Sequence, residues 1–288
     1  MNKNDSGTGT TGTTGTTGTT GTSGTGETAG ATSTGETTGT TGGTEETRVA
    51  LVTGSSSGIG AEVARRLATA GIRVVLNSAR SVEAGEKLAA ELPDALYVRA
   101  NVADEDDAKR LVRSAVDAYG RLDILVNCAG ATRFIAHDDF ESASPQVWRE
   151  LYDINVIGVW QTITAAVPHL RASGTGSVVT ISSQAGVRPG GSSIPYAVSK
   201  AAVNHMTKLL AKTLGPDVRV NAVAPGMIDT PWFDGVEGIE SAMEATAARL
   251  PLRRVGRPQD IAEAVFGLVN ASYITGEILL VDGGGHLL

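Results

Sequence analysis

Seven short runs rich in β-branched residues, separated by longer amphipathic stretches, constrain this chain more than any other feature. The runs are RVALVTG at 48, RVVLNS at 73, ALYVRANV at 95, LDILVN at 122, GSVVTISS at 176, VRVNAVAPG at 218 and EILLVDGG at 277. Runs that are apolar on both faces and alternate with helical patterns are typical of a parallel sheet covered by helices on both sides. The sequence therefore predicts an α/β fold, a single doubly wound Rossmann-type domain with a seven-stranded parallel sheet.

Residues 1–47 follow a different pattern. They contain 20 Thr and 13 Gly, and they contain no Leu, Ile, Val, Phe, Trp or Tyr. A segment without large apolar side chains cannot offset the entropy lost when its backbone is ordered. We therefore predict that residues 1–47 form a disordered low-complexity tail and that residues 48–288 form the folded domain.

Charge and cysteine content exclude several classes of function. The chain has 24 Lys and Arg against 31 Asp and Glu, a net charge of −7. Such a balance lacks the clustered cations that nucleic-acid binding requires, so no nucleic-acid partner is predicted. The one cysteine, Cys128, excludes an internal disulfide, and the four histidines show no metal-ligand spacing, so no metal site is predicted. No apolar run has the ~20 residues of a membrane span and the start of the chain lacks a signal-peptide pattern, so we expect a cytoplasmic protein.

A glycine-rich loop follows the first strand and leads directly into a helix. It reads Gly54-Ser-Ser-Ser-Gly58-Ile-Gly60. Glycine permits the tight turn and lets backbone amides approach a pyrophosphate at the helix N-terminus, where the helix dipole favours anions. The spacing differs from the usual Gly-x-Gly-x-x-Gly fingerprint, so the loop alone is also consistent with a plain strand-to-helix turn.

The end of the second strand bears on which dinucleotide such a loop would bind. An acid about 20 residues after the loop binds the free ribose hydroxyls of NAD, but this chain has Ser78 and Arg80 in that region and no acid before Glu83. A serine hydroxyl and a guanidinium can bind the 2′-phosphate of NADP instead. The sequence thus favours NADP, with NAD possible, and Arg80 as a solvated surface residue is the alternative interpretation.

A tyrosine, a lysine and a serine form the candidate catalytic set. Tyr196 and Lys200 are four residues apart in a helical stretch, which places both on one face. A phenol has a pKa of ~10, and a neighbouring ammonium favours the phenolate and lowers that pKa towards neutrality, where proton transfer is most effective. Ser183 ends the fifth strand, where its hydroxyl could hold a substrate oxygen; taken alone, it is better interpreted as a polar strand end.

Together these residues resemble the classical short-chain dehydrogenase/reductase family over residues 48–288. TGSSSGIG at 53–60 resembles the family's TGxxxGxG loop, and NCAG at 127–130 resembles its NNAG motif. Asn155, Ser183, Tyr196 and Lys200 match the family's catalytic set. Pro225-Gly226-x3-Thr230 matches the segment near the nicotinamide, and YITGEILLVDGG at 273–284 matches the last strand.

The resemblance implies a role for each matched position. Tyr196 would be the acid/base, Ser183 would stabilise the substrate oxygen, Lys200 would lower the pKa of Tyr196 and hold the nicotinamide ribose, and Asn155 would hold a water in a proton relay. The implied cofactor-binding residues are Gly54, Ser56, Ser57, Gly58, Ile59, Gly60, Ser78, Arg80, Asn101, Val102, Asn127, Ala129, Gly130, Tyr196, Lys200, Pro225, Gly226, Ile228 and Thr230.

The sequence thus predicts an NADP-preferring oxidoreductase that interconverts a small-molecule ketone and a secondary alcohol. Segments 131–140, 186–195 and 231–250 are expected to form the substrate wall. An NAD-dependent alcohol dehydrogenase and a catalytically silent dinucleotide-binding module remain as alternatives. The resemblance also implies a homodimer or homotetramer that pairs through the helix carrying Tyr196 and the helix before it.

Overall fold

The structure, a computed structural model, describes residues 47–288, so the predicted tail lies outside the described residues except for Thr47. The seven strands are β1 (Val49–Thr53), β2 (Arg73–Ser78), β3 (Ala95–Arg99), β4 (Ile124–Asn127), β5 (Gly176–Ile181), β6 (Val218–Pro225) and β7 (Ile278–Val281). The α-helices are α1 (Gly58–Thr69), α2 (Val82–Glu91), α3 (Glu105–Tyr119), α4 (Pro145–Tyr152), α5 (Gly158–Ala172), α6 (Ile194–Leu214), α7 (Ile239–Arg249) and α8 (Pro258–Asn270).

The strands form one parallel sheet in the order β3-β2-β1-β4-β5-β6-β7. The prediction of a doubly wound seven-stranded parallel sheet is therefore confirmed. The strand order reverses between β1 and β4, and ligands of such sheets bind outside the carboxyl ends of the strands at that point. The loops that follow β1, β4, β5 and β6 meet at this edge.

Each face of the sheet is covered by its own apolar core because side chains alternate along every strand. In β1, Val49 and Leu51 pack with side chains of α3, α5 and α6 on one face. Ala50 and Val52 pack with side chains of α1, α2 and α8 on the other. This two-sided burial explains why the strands appear in the sequence as continuous apolar runs.

A buried carboxylate fixes the sheet edge opposite the glycine loop. Asp123, fully buried just before β4, accepts hydrogen bonds from the Val49 N–H at 2.8 Å and from Thr175 Oγ1 at 3.0 Å. It also pairs with Arg121 at 2.7 Å. Because a buried charge is tolerated only when it is paired and hydrogen-bonded, this cluster ties the starts of β1, β4 and β5 together.

Within residues 47–288, no helix is long and apolar enough to cross a membrane. No cluster of three or more potential metal ligands occurs in that range either.

Candidate active site

The glycine loop between β1 and α1 is shaped so that side chains are excluded from it. Gly54 and Gly58 have φ angles of 62° and 54°, which favour glycine. A Cβ on Gly54 would lie 2.6 Å from Ala129 Cα, and one on Gly60 would lie 2.3 Å from the Gly54 carbonyl oxygen. The helix therefore starts as close to the sheet edge as the backbone allows.

Two polar residues that the sequence analysis did not select hold this loop. The Ser55 N–H donates to the Asn77 carbonyl at 2.8 Å, and the Asn77 N–H donates to Ser55 Oγ at 2.9 Å. Asn77 Nδ2 also donates to the carbonyls of Val98 and Ala100 at 3.1 and 3.0 Å. One buried asparagine thus joins the loop to the ends of β2 and β3.

The loop fits the pyrophosphate of a dinucleotide. The first amides of a helix have no partner within the helix, and Ser57 at the N-cap of α1 makes no side-chain capping bond to them. The cradle is too narrow for a Cβ at Gly54 or Gly60 but open to an anion at the positive end of the helix dipole. These are the residues that would hold the phosphates of a nicotinamide dinucleotide.

At the end of β2, the Ser78 hydroxyl has partners within the protein. Its side chain is buried, and its hydroxyl donates to the Ser81 carbonyl at 3.1 Å and lies 2.8 Å from the Tyr97 hydroxyl. Ser78 lines the cleft, but its single hydroxyl proton is engaged within the protein. Its predicted phosphate contact stays a prediction, and such a contact would have to compete with Ser81 and Tyr97 for the hydroxyl.

Two arginines remain at that end. Arg80 is exposed and lines the cleft, and its side chain makes no hydrogen bond or ion pair with any of residues 47–288. Arg99 ends β3 beside Ser78 in the parallel register, and its Nε donates to the Ala79 carbonyl at 3.3 Å. The sequence analysis missed Arg99 because the pairing of β2 with β3, and not proximity along the chain, brings it to this end of the cleft.

A side chain at the end of β1 holds the loop after β4 in place. Thr53 Oγ1 accepts the N–H groups of Cys128 and Ala129, both at 3.1 Å. Burial raises the pKa of the Cys128 thiol to about 12, so it is a small packed side chain rather than a nucleophile. Asn127 is buried away from the cleft, and its Oδ1 accepts from Thr162 Oγ1 at 2.7 Å. Asn127 does not line the cleft, and its predicted cofactor contact stays a prediction.

Asn155 lies in a short π-helical segment (Asp153–Ile157) that joins α4 to α5. Its Nδ2 donates to the Ala131 carbonyl and to Ser199 Oγ, each at 3.0 Å, and its Oδ1 accepts the Ala131 N–H at 2.9 Å. Both side-chain N–H groups are thus used within the protein. The side chain of Asn155 does not line the cleft. A water bound to this residue would have to donate a hydrogen bond to its side-chain oxygen or its backbone oxygen.

Tyr196, Ser183 and Lys200 converge at the carboxyl end of β5. Ser193 caps α6 by accepting the Tyr196 N–H at 3.3 Å, which places the tyrosine in the first helical turn. Ser183 lies close enough to Tyr196 to lower the pKa of its phenol, and its Oγ accepts the Ala185 N–H at 3.1 Å. Lys200, one turn further on, is buried, donates from Nζ to the Ile181 carbonyl at 2.9 Å, and lies 5.7 Å from the centre of the Tyr196 ring.

The ionisation of this set departs from expectation in one respect. Burial raises the pKa of Tyr196 to about 12, against a smaller lowering by the nearby Ser183 hydroxyl. Burial also lowers the pKa of Lys200 to about 8. The expected lowering of the Tyr196 pKa by Lys200 is not found among the protein's own groups, because the Lys200 ammonium is itself desolvated and donates to a carbonyl. The phenol is therefore protonated at neutral pH.

One cleft of about 1460 Å³ joins these parts. The predicted site residues that line it are Gly54, Ser56, Ser57, Gly58, Ile59, Gly60, Ser78, Arg80, Asn101, Val102, Ala129, Gly130, Ser183, Tyr196, Lys200, Pro225, Gly226, Ile228 and Thr230. Of the predicted set, only Asn127 and Asn155 are absent from the lining. The cleft thus connects a phosphate-binding loop with a protonated phenol.

Aromatic side chains line the cleft beyond Tyr196. Phe134, from the loop after β4, and Phe233, from a short 3₁₀ turn after β6 (Pro231–Phe233), have ring centres 6.0 Å apart. Trp232, from the same turn, lies 6.3 Å from the Tyr196 ring. The sequence analysis placed these residues in the substrate wall segments but identified no individual side chain.

Known proteins resemble this chain over most of the described residues. The sequence family described as enoyl-(acyl carrier protein) reductase matches residues 54–286. The protein named as ketoacyl reductase 2 of the granaticin polyketide synthase of Streptomyces violaceoruber is 64% identical over 243 residues, 84% of this chain and 98% of the relative. The 3-oxoacyl-(acyl-carrier-protein) reductase of Thermotoga maritima is 37% identical over 246 residues, 83% of this chain and 98% of the relative. A solved structure described as a short-chain dehydrogenase/reductase from Burkholderia xenovorans, 39% identical, has a TM-score of 0.78 and covers 84% of this chain and 99% of its own.

Proposed function

The chain belongs to the classical short-chain dehydrogenase/reductase family, and on that premise we propose that it reduces a ketone with NADPH and that Tyr196 donates the proton. Members of this family are NAD(P)-dependent oxidoreductases that act on CH–OH and C=O groups, and so is this protein. The observation that supports the finer proposal most strongly is the contact of Ser183 with the protonated Tyr196 in the same cleft as the glycine loop.

Each residue of the site has its own role in carbonyl reduction. When bound, the nicotinamide supplies the hydride that the carbonyl carbon accepts. Ser183 and Tyr196 donate hydrogen bonds to the carbonyl oxygen, and the Tyr196 hydroxyl proton is transferred to that oxygen as it becomes an alkoxide. Lys200, which donates to the Ile181 carbonyl and lies 5.7 Å from the centre of the Tyr196 ring, would hold the nicotinamide ribose beside the phenol.

The protonation state of Tyr196 suits the role of proton donor in ketone reduction. A phenol whose pKa is raised to about 12 is an acid ready to donate at neutral pH. Oxidation of an alcohol requires the phenolate, which the protein's own groups disfavour. We therefore propose ketone reduction as the favoured reaction, and the NAD-dependent alcohol dehydrogenase as the alternative within this family.

The adenosine end of the cleft supports NADPH as the reductant. Arg80 and Arg99 line the cleft there, and no Asp or Glu lines it between residues 77 and 103. Two guanidinium groups in the lining suit a 2′-phosphate dianion, and Asp107, the acid near Arg99, is already bonded to the Asn101 N–H and to Arg110.

A ketoacyl compound is the substrate that the comparisons favour. The two relatives compared above are named as reductases of ketoacyl chains, and we propose the same class for this protein. The test is to offer the purified enzyme a β-ketoacyl thioester and the matching α,β-unsaturated thioester, each with NADPH and with NADH, and to follow nicotinamide absorbance. We expect oxidation of NADPH with the β-ketoacyl thioester. Reduction of only the unsaturated thioester, or of neither, would contradict the proposal.

We also propose that the enzyme pairs through α5 and α6. Trp160 on α5 and Leu209 on α6 are 46% and 55% exposed, and Val198 on α6 is exposed beside Tyr196. Large apolar side chains on adjacent helices indicate an interface more often than a monomer surface. A dimer or tetramer by light scattering at micromolar concentration is expected, and a strictly monomeric mass would contradict the proposal.

A further inference from the structure

Ser183 is the cap of a short 3₁₀ turn (Gln184–Gly186), here called the β5 turn. The sheet holds the chain as far as Ser182, whose N–H donates to the Val223 carbonyl of β6 at 2.7 Å. Ser183 is the first residue beyond that bond, and its Oγ accepts the Ala185 N–H of the turn at 3.1 Å. The position of the Ser183 hydroxyl therefore depends on where the β5 turn lies.

Helix α6 lies directly against the far end of the β5 turn. A Cβ on Gly186 would lie 2.6 Å from the Lys200 carbonyl carbon and 2.8 Å from the Ala201 nitrogen, so only glycine allows this approach. The Gly186 carbonyl accepts a hydrogen bond from Asn204 Nδ2 at 3.0 Å. Asn204 lies one helical turn after Lys200 and two after Tyr196. One helix thus carries both the phenol and the side chain that holds the turn.

Two further bonds join β5 to α6, but they attach before Ser183. Ser182 Oγ donates to the Lys200 carbonyl at 3.3 Å, and Lys200 Nζ donates to the Ile181 carbonyl at 2.9 Å. Both Ile181 and Ser182 are already held by their pairing with β6. The Asn204 bond differs because it attaches to the chain beyond Ser183, where the sheet no longer holds it.

Stability alone gives little reason for an amide at position 204. The Asn204 side chain is buried, and within residues 47–288 its Oδ1 has no hydrogen-bond partner. A buried acceptor without a partner lowers the free energy of unfolding, whereas an apolar side chain of the same shape can be nearly neutral or stabilising. The amide gains one bond and leaves one acceptor unpaired. What distinguishes it from a leucine is the bond to Gly186.

We propose that Asn204 is a positioning residue for carbonyl reduction. Through the Gly186 carbonyl it holds the β5 turn, and the turn holds the Ser183 hydroxyl beside Tyr196. The proposal rests on the proposed ketone reduction and adds a residue to it. Asn204 does not line the cleft, so it contacts neither the substrate nor the nicotinamide and acts through Ser183.

A double-variant cycle tests whether Asn204 acts through Ser183. The variants are Asn204→Leu, Ser183→Ala and the two combined, and the measurement is kcat with saturating NADPH and a β-ketoacyl thioester. We expect Asn204→Leu to lower kcat by roughly tenfold in the unmodified enzyme, because a hydroxyl displaced by even a fraction of an ångström stabilises the alkoxide poorly. In the Ser183→Ala background the same change should cost less than about twofold, since the hydroxyl to be positioned is absent. Equal losses in both backgrounds would show a general structural effect and overturn the proposal, as would an unchanged kcat in Asn204→Leu.

Two more variants control for folding and for polarity within α6. Asn204→Ala removes the same donor without added bulk, and it takes the place of Asn204→Leu in the cycle where the leucine variant does not fold. Thr207→Val is the matched control, because Thr207 is buried on the same helix and its Oγ1 donates to the Val203 carbonyl of that helix at 2.8 Å. It should keep kcat within about twofold. A loss in Thr207→Val equal to that in Asn204→Leu would overturn the proposal.

Hydrogen exchange followed by mass spectrometry separates this inference from the proposed reaction, because it needs no turnover. The N–H groups of residues 185–188 are bonded within the β5 turn. In Asn204→Leu we expect them to exchange at least about fivefold faster, while those of β4 are unchanged. Faster exchange of this kind in a protein that reduces no ketone would refute the proposed reaction alone. Reduction of a β-ketoacyl thioester, with kcat and exchange both unchanged in Asn204→Leu, would refute the positioning role alone.

Discussion

The preference for NADPH over NADH depends on Arg80 and Arg99 acting together, and the structure allows this to be quantified. A charge-assisted contact contributes roughly 1.5–3 kcal/mol. Both side chains are exposed, so screening by solvent places each near the lower end of that range. One arginine then corresponds to about a tenfold preference, since about 1.4 kcal/mol is a factor of ten.

The assay is kcat/KM for NADPH and for NADH with one fixed ketone. We expect Arg80→Ala and Arg99→Ala each to reduce the NADPH/NADH ratio by about tenfold, almost entirely through NADPH. The double variant should lose less than the product of the two, because both groups contact one phosphate and neighbouring effects are not additive. Added salt should reduce the ratio in the unmodified enzyme and change it little in the double variant.

Two further variants make the test specific. Arg113→Ala removes an exposed arginine of α3 that does not line the cleft, and it should leave the ratio unchanged. Ser78→Ala should change the ratio by less than about threefold, because the Ser78 hydroxyl is already bonded to Ser81 and Tyr97. An unchanged ratio in the Arg80/Arg99 double variant would refute the reasoning, as would a large effect of Ser78→Ala.

Three more predictions concern the framework of the site. Asp123→Ala should lower the free energy of unfolding by about 3 kcal/mol in a denaturant titration, because it removes the buried acceptor of the Val49 N–H and the ion pair that Asp123 makes with Arg121; an unchanged midpoint would contradict it. Gly60→Ala should raise the KM for NADPH at least about tenfold by displacing the loop carbonyl at Gly54, whereas Gly267→Ala, which has open space around it, should not. Deleting residues 2–46 should leave Tm and kcat unchanged because those residues lack the apolar side chains that packing requires, and a fall in either would show that they contribute to the fold.

The fold was predictable because each strand is buried on both faces. Such strands keep their apolar pattern whatever packs on them, and the helices between them leave little choice of topology. The glycine loop was predictable for a related reason, since Gly54 and Gly60 are required by backbone approach rather than by any partner side chain. The start of α6 was marked by Ser193 and Pro195 just before the tyrosine.

The parts of the site that the sequence did not show depend on which neighbour uses a polar group. Nothing in the sequence near Ser78 indicates that Tyr97, on the next strand, approaches its hydroxyl. Asn127 is similar, because its partner Thr162 lies 35 residues further along the chain. Arg99 was missed, and Trp232 was included only as part of segment 231–250, because only the completed sheet edge brings these side chains to the cleft. Contacts between segments that are far apart in the chain leave no local signal in the sequence. A motif therefore predicts where a residue lies better than it predicts which group its side chain binds.

The central claim is that Tyr196 donates the proton in ketone reduction, and Tyr196→Phe tests it most directly. The variant keeps the ring that packs against Trp232 and removes only the hydroxyl. Measured as kcat at saturating NADPH and ketone, its activity should fall by about 10²–10⁴-fold. The Kd for NADPH should stay within about twofold, since the charged phosphates supply most of the binding contacts. Tyr273→Phe, at a fully exposed tyrosine, should be unchanged in both measurements. Turnover near the unmodified level in purified Tyr196→Phe protein would contradict the account.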